Sequence, residues 1–214
     1  MQFDFIKDLD EYFCEVYANY DSLCLLPGYV MPKMQGAEKD EFGDYVAYTL
    51  PANTMRLALQ GNKEQILQAF KERLVDKEFS FAFSPASVPT RIKNLFSKKA
   101  VHKKLKRIFK SLGVTVDEGK KGLTVSPKIW KKILRGRYLP TKNMIFSLAL
   151  LHNMDYADVK ELLSSIGLAF DYEKARDTVI VYLLLKKITV PEMKKAAIEE
   201  YRIDNLFIDW KEEA

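Results

Sequence analysis

The stretch Ser126-Pro127-Lys128-Ile129-Trp130-Lys131-Lys132-Ile133-Leu134-Arg135-Gly136-Arg137-Tyr138-Leu139-Pro140-Thr141 carries the signals of a short helix, a stop, a basic turn and a second helix start. Ser126 supplies a capping hydroxyl, Pro127 fits a first helical position where its missing N–H has no partner to lose, and Gly136 supplies a left-handed exit. Trp130, Ile133 and Leu134 fall on one face of such a helix, whereas Lys128, Lys131, Lys132 and Arg135 fall elsewhere. The spacing therefore predicts a helix that buries one stripe, Trp130 included, and turns cations toward solvent.

Upstream, the period of Val101, Leu105, Ile108, Phe109 and Leu112 predicts a helix over Lys98 to Leu112, ended by Gly113. Its other face carries Lys99, His102, Lys103, Lys106, Arg107 and Lys110. Residues 114–125 between the two helices have two readings. Alternation around Gly119-Lys120-Lys121-Gly122 favours a β-hairpin, and the position between helices favours a helix. Two interior glycines each cost a helix about 1 kcal/mol, which tilts the balance slightly toward the hairpin.

Net charge sharpens the picture once it is divided along the chain. The total is +5. Residues 1–90 hold 8 Lys/Arg against 14 Asp/Glu, residues 91–142 hold 17 against 2, and residues 143–214 hold 9 against 13. A basic block between acidic flanks produces a local positive field, which draws phosphate polymers or acidic protein surfaces. The residues expected to meet such a partner are Lys103, Lys106, Arg107, Lys110, Lys128, Lys131, Lys132, Arg135, Arg137 and Lys142, with Tyr138 as a ring on which an unpaired base can stack.

The rest of the chain frames this block. At 214 residues and 48% hydrophobic content the protein can bury a large core, which excludes disordered and collagen-like classes. No apolar run is long enough to span a bilayer and Met1 to Phe5 does not open like a signal peptide, so the expectation is a soluble cytoplasmic protein with no membrane contact. Cys14 and Cys24 have no neighbouring His, so neither a disulfide framework nor a zinc site is expected, and Cys24 within Leu23 to Leu26 is read as core. Phe5, Ile6, Leu9, Phe13, Val16, Tyr17 and Tyr20 predict an amphipathic helix over Phe3 to Tyr20. Further expectations are an exposed loop over Met31 to Asp44, a short strand over Tyr45 to Leu50, helices over Pro51 to Gln60 and from the Asn62 cap through Leu74, and a strand over Phe79 to Phe83. Ser84 to Thr90 is rich in Ser and Pro and reads as a linker.

The expected architecture is thus mainly α with a small β component (α+β). An acidic α+β domain spans 1–83, a linker 84–90, and a basic helix-turn-helix domain with a C-terminal helical extension 91–214. In that extension Gly167 ends a helix capped by Asp155, Asp171 caps an all-round apolar helix through Val179 to Leu184, and Thr189-Val190-Pro191-Glu192 forms a capping box. Asn205 to Trp210 is expected to fold back on the core.

These motifs carry a family resemblance. Residues 114–163 resemble the repressor-like helix-turn-helix domain of the Cro and XRE type. Its "valine-serine" start of the recognition helix falls on Val125-Ser126, its helix-ending glycine on Gly136, its proline on Pro140 and its alanine-leucine helix on Leu148-Ala149-Leu150. Residues 126–208 also look like a helical module found behind macro domains in uncharacterised bacterial proteins, here as Lys132-Ile133, Pro140-Thr141-Lys142, Leu148-Ala149 and Leu162-Leu163. Residues 1–90 look like part of an uncharacterised bacterial family. The resemblance implies a DNA-binding fold, but Pro127, Lys128, Ile129, Lys131 and Lys132 stand where paired donors and acceptors read base edges. Lysine is a point charge suited to phosphate.

The leading expectation is a non-enzymatic nucleic-acid-binding protein, DNA or RNA, of low sequence specificity and without a cofactor. Its acidic N-terminal part is left for a partner or a homodimer contact. One alternative is an adaptor that uses the same scaffold to hold an acidic protein. Another is an enzyme with an N-terminal site, against which stand two isolated histidines, His102 and His152, an acidic loop at Asp40, Glu41 and Asp44 with no calcium spacing, and Gly119 to Gly122 outside a phosphate-loop context.

Overall fold

A computed structural model describes residues 5–16, 35–39, 45–49, 67–68, 71–72, 83–97, 100–172 and 174–210. The chain is mostly helical. The expected helix over Pro51 to Gln60, the environment of Cys24, the acidic loop at 40–44 and most of the strand over Phe79 to Phe83 lie outside the described residues.

Helix α1, Phe5–Val16, buries Phe5, Leu9 and Phe13, one residue per turn on a single face. That face lies on the C-terminal helices α7, Ala175–Leu185, and α8, Pro191–Glu200. Phe5 tilts against Tyr182 (5.9 Å between ring centres) and Phe13 against Tyr201 (4.6 Å). The apolar side chains of α1 therefore belong to the same core as those of residues 101–208. Strands β1, Gln35–Lys39, and β2, Tyr45–Thr49, pair antiparallel with Ala37 opposite Ala47, so part of the stretch expected as a loop is paired.

Residues 84–90, expected as a linker, are strapped down. Pro85 bridges to Tyr138, the Ala86 N–H donates to the Arg137 carbonyl (2.9 Å), and Ala86 is buried. Helix α2, Val88–Phe96, starts within that segment, with the Ser87 hydroxyl accepting from the Thr90 N–H (3.4 Å). Pro and Ser here serve a helix start rather than a flexible connector.

Helix α3, Val101–Ser111, buries Val101, Leu105, Ile108 and Phe109. Helix α4, Pro127–Leu134, begins as its sequence dictates, with the Ser126 hydroxyl accepting from the Ile129 N–H (3.4 Å) and Pro127 in the first turn. It ends at Gly136 (φ +67°), whose N–H returns to the Ile133 carbonyl (2.8 Å) while that of Arg137 returns to Lys132 (2.9 Å). Helix α5, Lys142–Leu151, is capped by the Thr141 hydroxyl and is buried from Asn143 to Leu150. Helix α6, Tyr156–Ser165, covers it with Val159, Leu162 and Leu163.

Residues 114–125 are neither the hairpin nor the full helix. They form a single 3₁₀ turn, Glu118–Lys120, pinned by reciprocal bonds: the Thr115 N–H to Glu118 Oε2 (2.7 Å) and the Glu118 N–H to Thr115 Oγ1 (3.2 Å). A longer helix is stopped by Gly122 (φ +75°). The hairpin loses its second strand to the C-terminal tail, since Leu123 bridges to Ile208, the Thr124 N–H donates to Phe207 and the Asp209 N–H to Gly122. The tail does fold back, with Phe207 and Ile208 buried and the Phe207 N–H donating to the Ser147 hydroxyl (2.8 Å).

Three caps differ from expectation, the first being Asp155, which precedes α6 with no side-chain cap bond. Helix α7 starts after Lys174, whose N–H turns back to the Asp171 carbonyl, and α8 starts after Val190 with no side-chain cap from Thr189. Before α7 the turn closes through backbone groups instead.

Candidate nucleic-acid interface

Helices α3 and α4 pack antiparallel. Phe109 meets Trp130 toward one end (6.1 Å between ring centres), and toward the other His102 lies against Gly136, where an added Cβ would fall 2.7 Å from His102 Nδ1. Trp130 is buried and its indole N–H donates to the Val116 carbonyl (3.2 Å), so the ring is structural.

With their inner faces fixed in this way, the two helices turn cations outward side by side. Lys128, Lys132 and Arg135, at i, i+4 and i+7, are exposed along the outer face of α4 with Lys131 beside them. On α3, Lys106 and Lys110 are exposed and Lys103 is half-buried; Arg137 is exposed just beyond the α4 stop. The Lys132 ammonium sits over the Tyr138 ring at 4.7 Å from its centre, so that face of the ring carries a cation rather than standing open for a base. The field is felt by His102. Burial first, then the charges of Lys106 and Lys103, hold its imidazole below the usual range, so it is neutral at pH 7.

Two of the expected cations lie elsewhere. Lys142 is a correction: it is largely buried at the start of α5, bound to the fully buried carboxylate of Asp177, with its ammonium 5.7 Å from the Phe146 ring centre. Asp177 also takes Arg176 (3.3 Å) and the Asp171 N–H (2.7 Å), and this is a core ion cluster with no face toward a polymer. Arg107 is exposed but held by Glu161 of α6, Nη2 to Oε2 2.6 Å; the second carboxylate oxygen takes Lys104 (3.0 Å). No sequence signal marks Glu161. Asp177 had one, an Arg-Asp pair at the head of a helix apolar on all sides, which forces charge into the core.

The histidines are packing groups. His152 stands edge-on to Phe109 (5.4 Å) with Nε2 3.1 Å from the Gly119 carbonyl oxygen, and burial lowers its pKa most. Among the described residues no three His, Cys, Asp or Glu side chains gather as a metal site would require. A cleft of about 450 Å³ is lined by Ile6 of α1, by Gln68, Lys71 and Glu72, and by Ala196 and Glu199 of α8. Its lysine, Lys71, is held by Asp10 and Glu200, each at 2.7 Å. No described helix is long and apolar enough to cross a membrane. No protein-family model, curated protein or solved structure matches this chain.

Proposed function

We propose that this is a non-enzymatic, cytoplasmic nucleic-acid-binding protein that grips the phosphate backbone through the paired outer faces of α3 and α4. The observation that carries the reading is the exposed row Lys128, Lys132 and Arg135, beside Lys106 and Lys110 on the antiparallel neighbour. The α4 row is about 10 Å long at 1.5 Å per residue. That length matches about three nucleotides of one strand at 3.4 Å each. The resemblance of residues 114–163 to a repressor-like helix-turn-helix domain supports the same assignment.

Recognition is of charge rather than of sequence. The exposed side chains of α4 and its stop are Pro127, three lysines and Arg135, and Ser126, the hydroxyl at its start, is spent on its own helix. Each cation that neutralises a phosphate releases a counterion, which adds about 0.9 to the slope of log affinity against log salt. Titration of the full chain with random-sequence duplex DNA, single-stranded DNA and RNA between about 50 and 200 mM salt tests the proposal. A slope of several is expected, with little dependence on base sequence. Absence of binding at the lowest salt, or affinity indifferent to salt, overturns it.

A further inference from the structure

Glu161 makes a contact that a phosphodiester would otherwise make. Its two oxygens engage two cations one turn apart on α3, Arg107 at 2.6 Å and Lys104 at 3.0 Å. A phosphate presents two non-bridging oxygens to basic side chains in the same way. Arg107 is 63% exposed and Lys104 only 11%, so of the two only Arg107 stands where a polymer can reach it. The contact is charged under ordinary conditions, because the Lys104 hydrogen bond, followed by the charges of Lys104 and Arg107, holds the Glu161 carboxyl below the usual range. Asp158 stands one turn back on α6 and Asp155 just before it, so a phosphate approaching Arg107 meets a row of carboxylates.

Resting on the proposed reading of α3 and α4, we infer that Glu161 is an internal anion that occupies a phosphate position and sets the edge of the polyanion surface. Arg107 is withheld from the polymer while Glu161 is present. Removing the carboxylate extends the surface by one cation across α3, toward α6, with no new residue supplied. The protein thereby keeps its affinity for nucleic acid below what its cation content allows, which favours release and sliding over tight retention.

The test is a salt series of binding to a random-sequence DNA duplex by four full-length chains: native, E161Q, R107A and the E161Q/R107A double variant. E161Q is expected to steepen the log–log slope by about 0.9 and to raise affinity about tenfold at about 50 mM salt. R107A in the native background is expected to change affinity less than twofold, and the double variant to return to the native value. An E161Q chain that binds like the native one overturns the inference, as does R107A weakening native binding with a loss of slope of about 0.9. The R107A arm decides by itself should E161Q fail to fold. Native binding with a steep slope but no E161Q gain defeats this inference alone, whereas a native chain that binds no nucleic acid defeats the underlying reading as well.

Discussion

Tyr182 donates its hydroxyl proton to Asp8 at 2.7 Å, joining α7 to α1 across 174 positions of sequence. The hydroxyl, together with Lys186 at 3.2 Å, holds the Asp8 carboxyl below its usual range, and burial plus the bond to Asp8 raises the tyrosine. Tyr182→Phe is expected to cost about 2 kcal/mol in urea unfolding at pH 7, since the lost bond is to an ionised group. A carboxyl with a lowered folded pKa stabilises above its unfolded value of about 3.9 and loses that contribution as pH falls through the folded value. The difference between native and variant should therefore shrink below about pH 4, and a pH-independent difference would show that the carboxylate is not its source.

Asp177 is fully buried and balances Lys142 and Arg176. Asp177→Ala removes a buried carboxylate from beside two cations and is expected to cost about 3–5 kcal/mol, read as a shift of the urea midpoint. Lys142→Met is expected to lower stability while leaving the salt slope of polyanion binding unchanged, because Lys142 faces Asp177 and not the polymer.

Charge on the outer face of α4 should behave in the opposite way. Lys128→Ala and Arg135→Ala are each expected to lower the salt slope by about 0.9 and to shift the thermal midpoint little, since both side chains are exposed. A loss of stability without a change of slope would place these residues in the fold rather than in the interface.

Gly119 lies under the Phe109 ring, where an added Cβ would fall 2.6 Å from the ring edge. Phe109 is fully buried between Trp130 and His152 and has no room to retreat. Gly119→Ala is expected to cost about 1–3 kcal/mol by overpacking, detectable as a lower thermal midpoint.

What could be read from the residues was what is decided within a few positions. Ser126, Pro127 and Gly136 fixed the ends of α4, Thr141 fixed the start of α5, and the apolar period fixed the buried faces of α1 and α3. Interactions decided at long range were not legible: Lys142 looks like any cation after a cap until Asp177, 35 positions on, reaches it. The same holds for Arg107 and Glu161, for residues 114–125, whose conformation depends on the tail at 207–209, and for α1, which shares a core with helices at the other end of the chain. Of the ten cations expected to face a polymer, the structure sets Lys142 and Arg107 against carboxylates of other helices.

The docking of α1 has a temporal side. Phe5 and Phe13 are synthesised well before the rings that pack on them, Tyr182 and Tyr201. At about 5–20 residues per second, these two ring contacts close roughly 10–35 seconds after the stripe is made. During synthesis the nascent chain therefore carries α1 without these two rings while the intervening residues are translated, and the interval is long enough for a chaperone to find it.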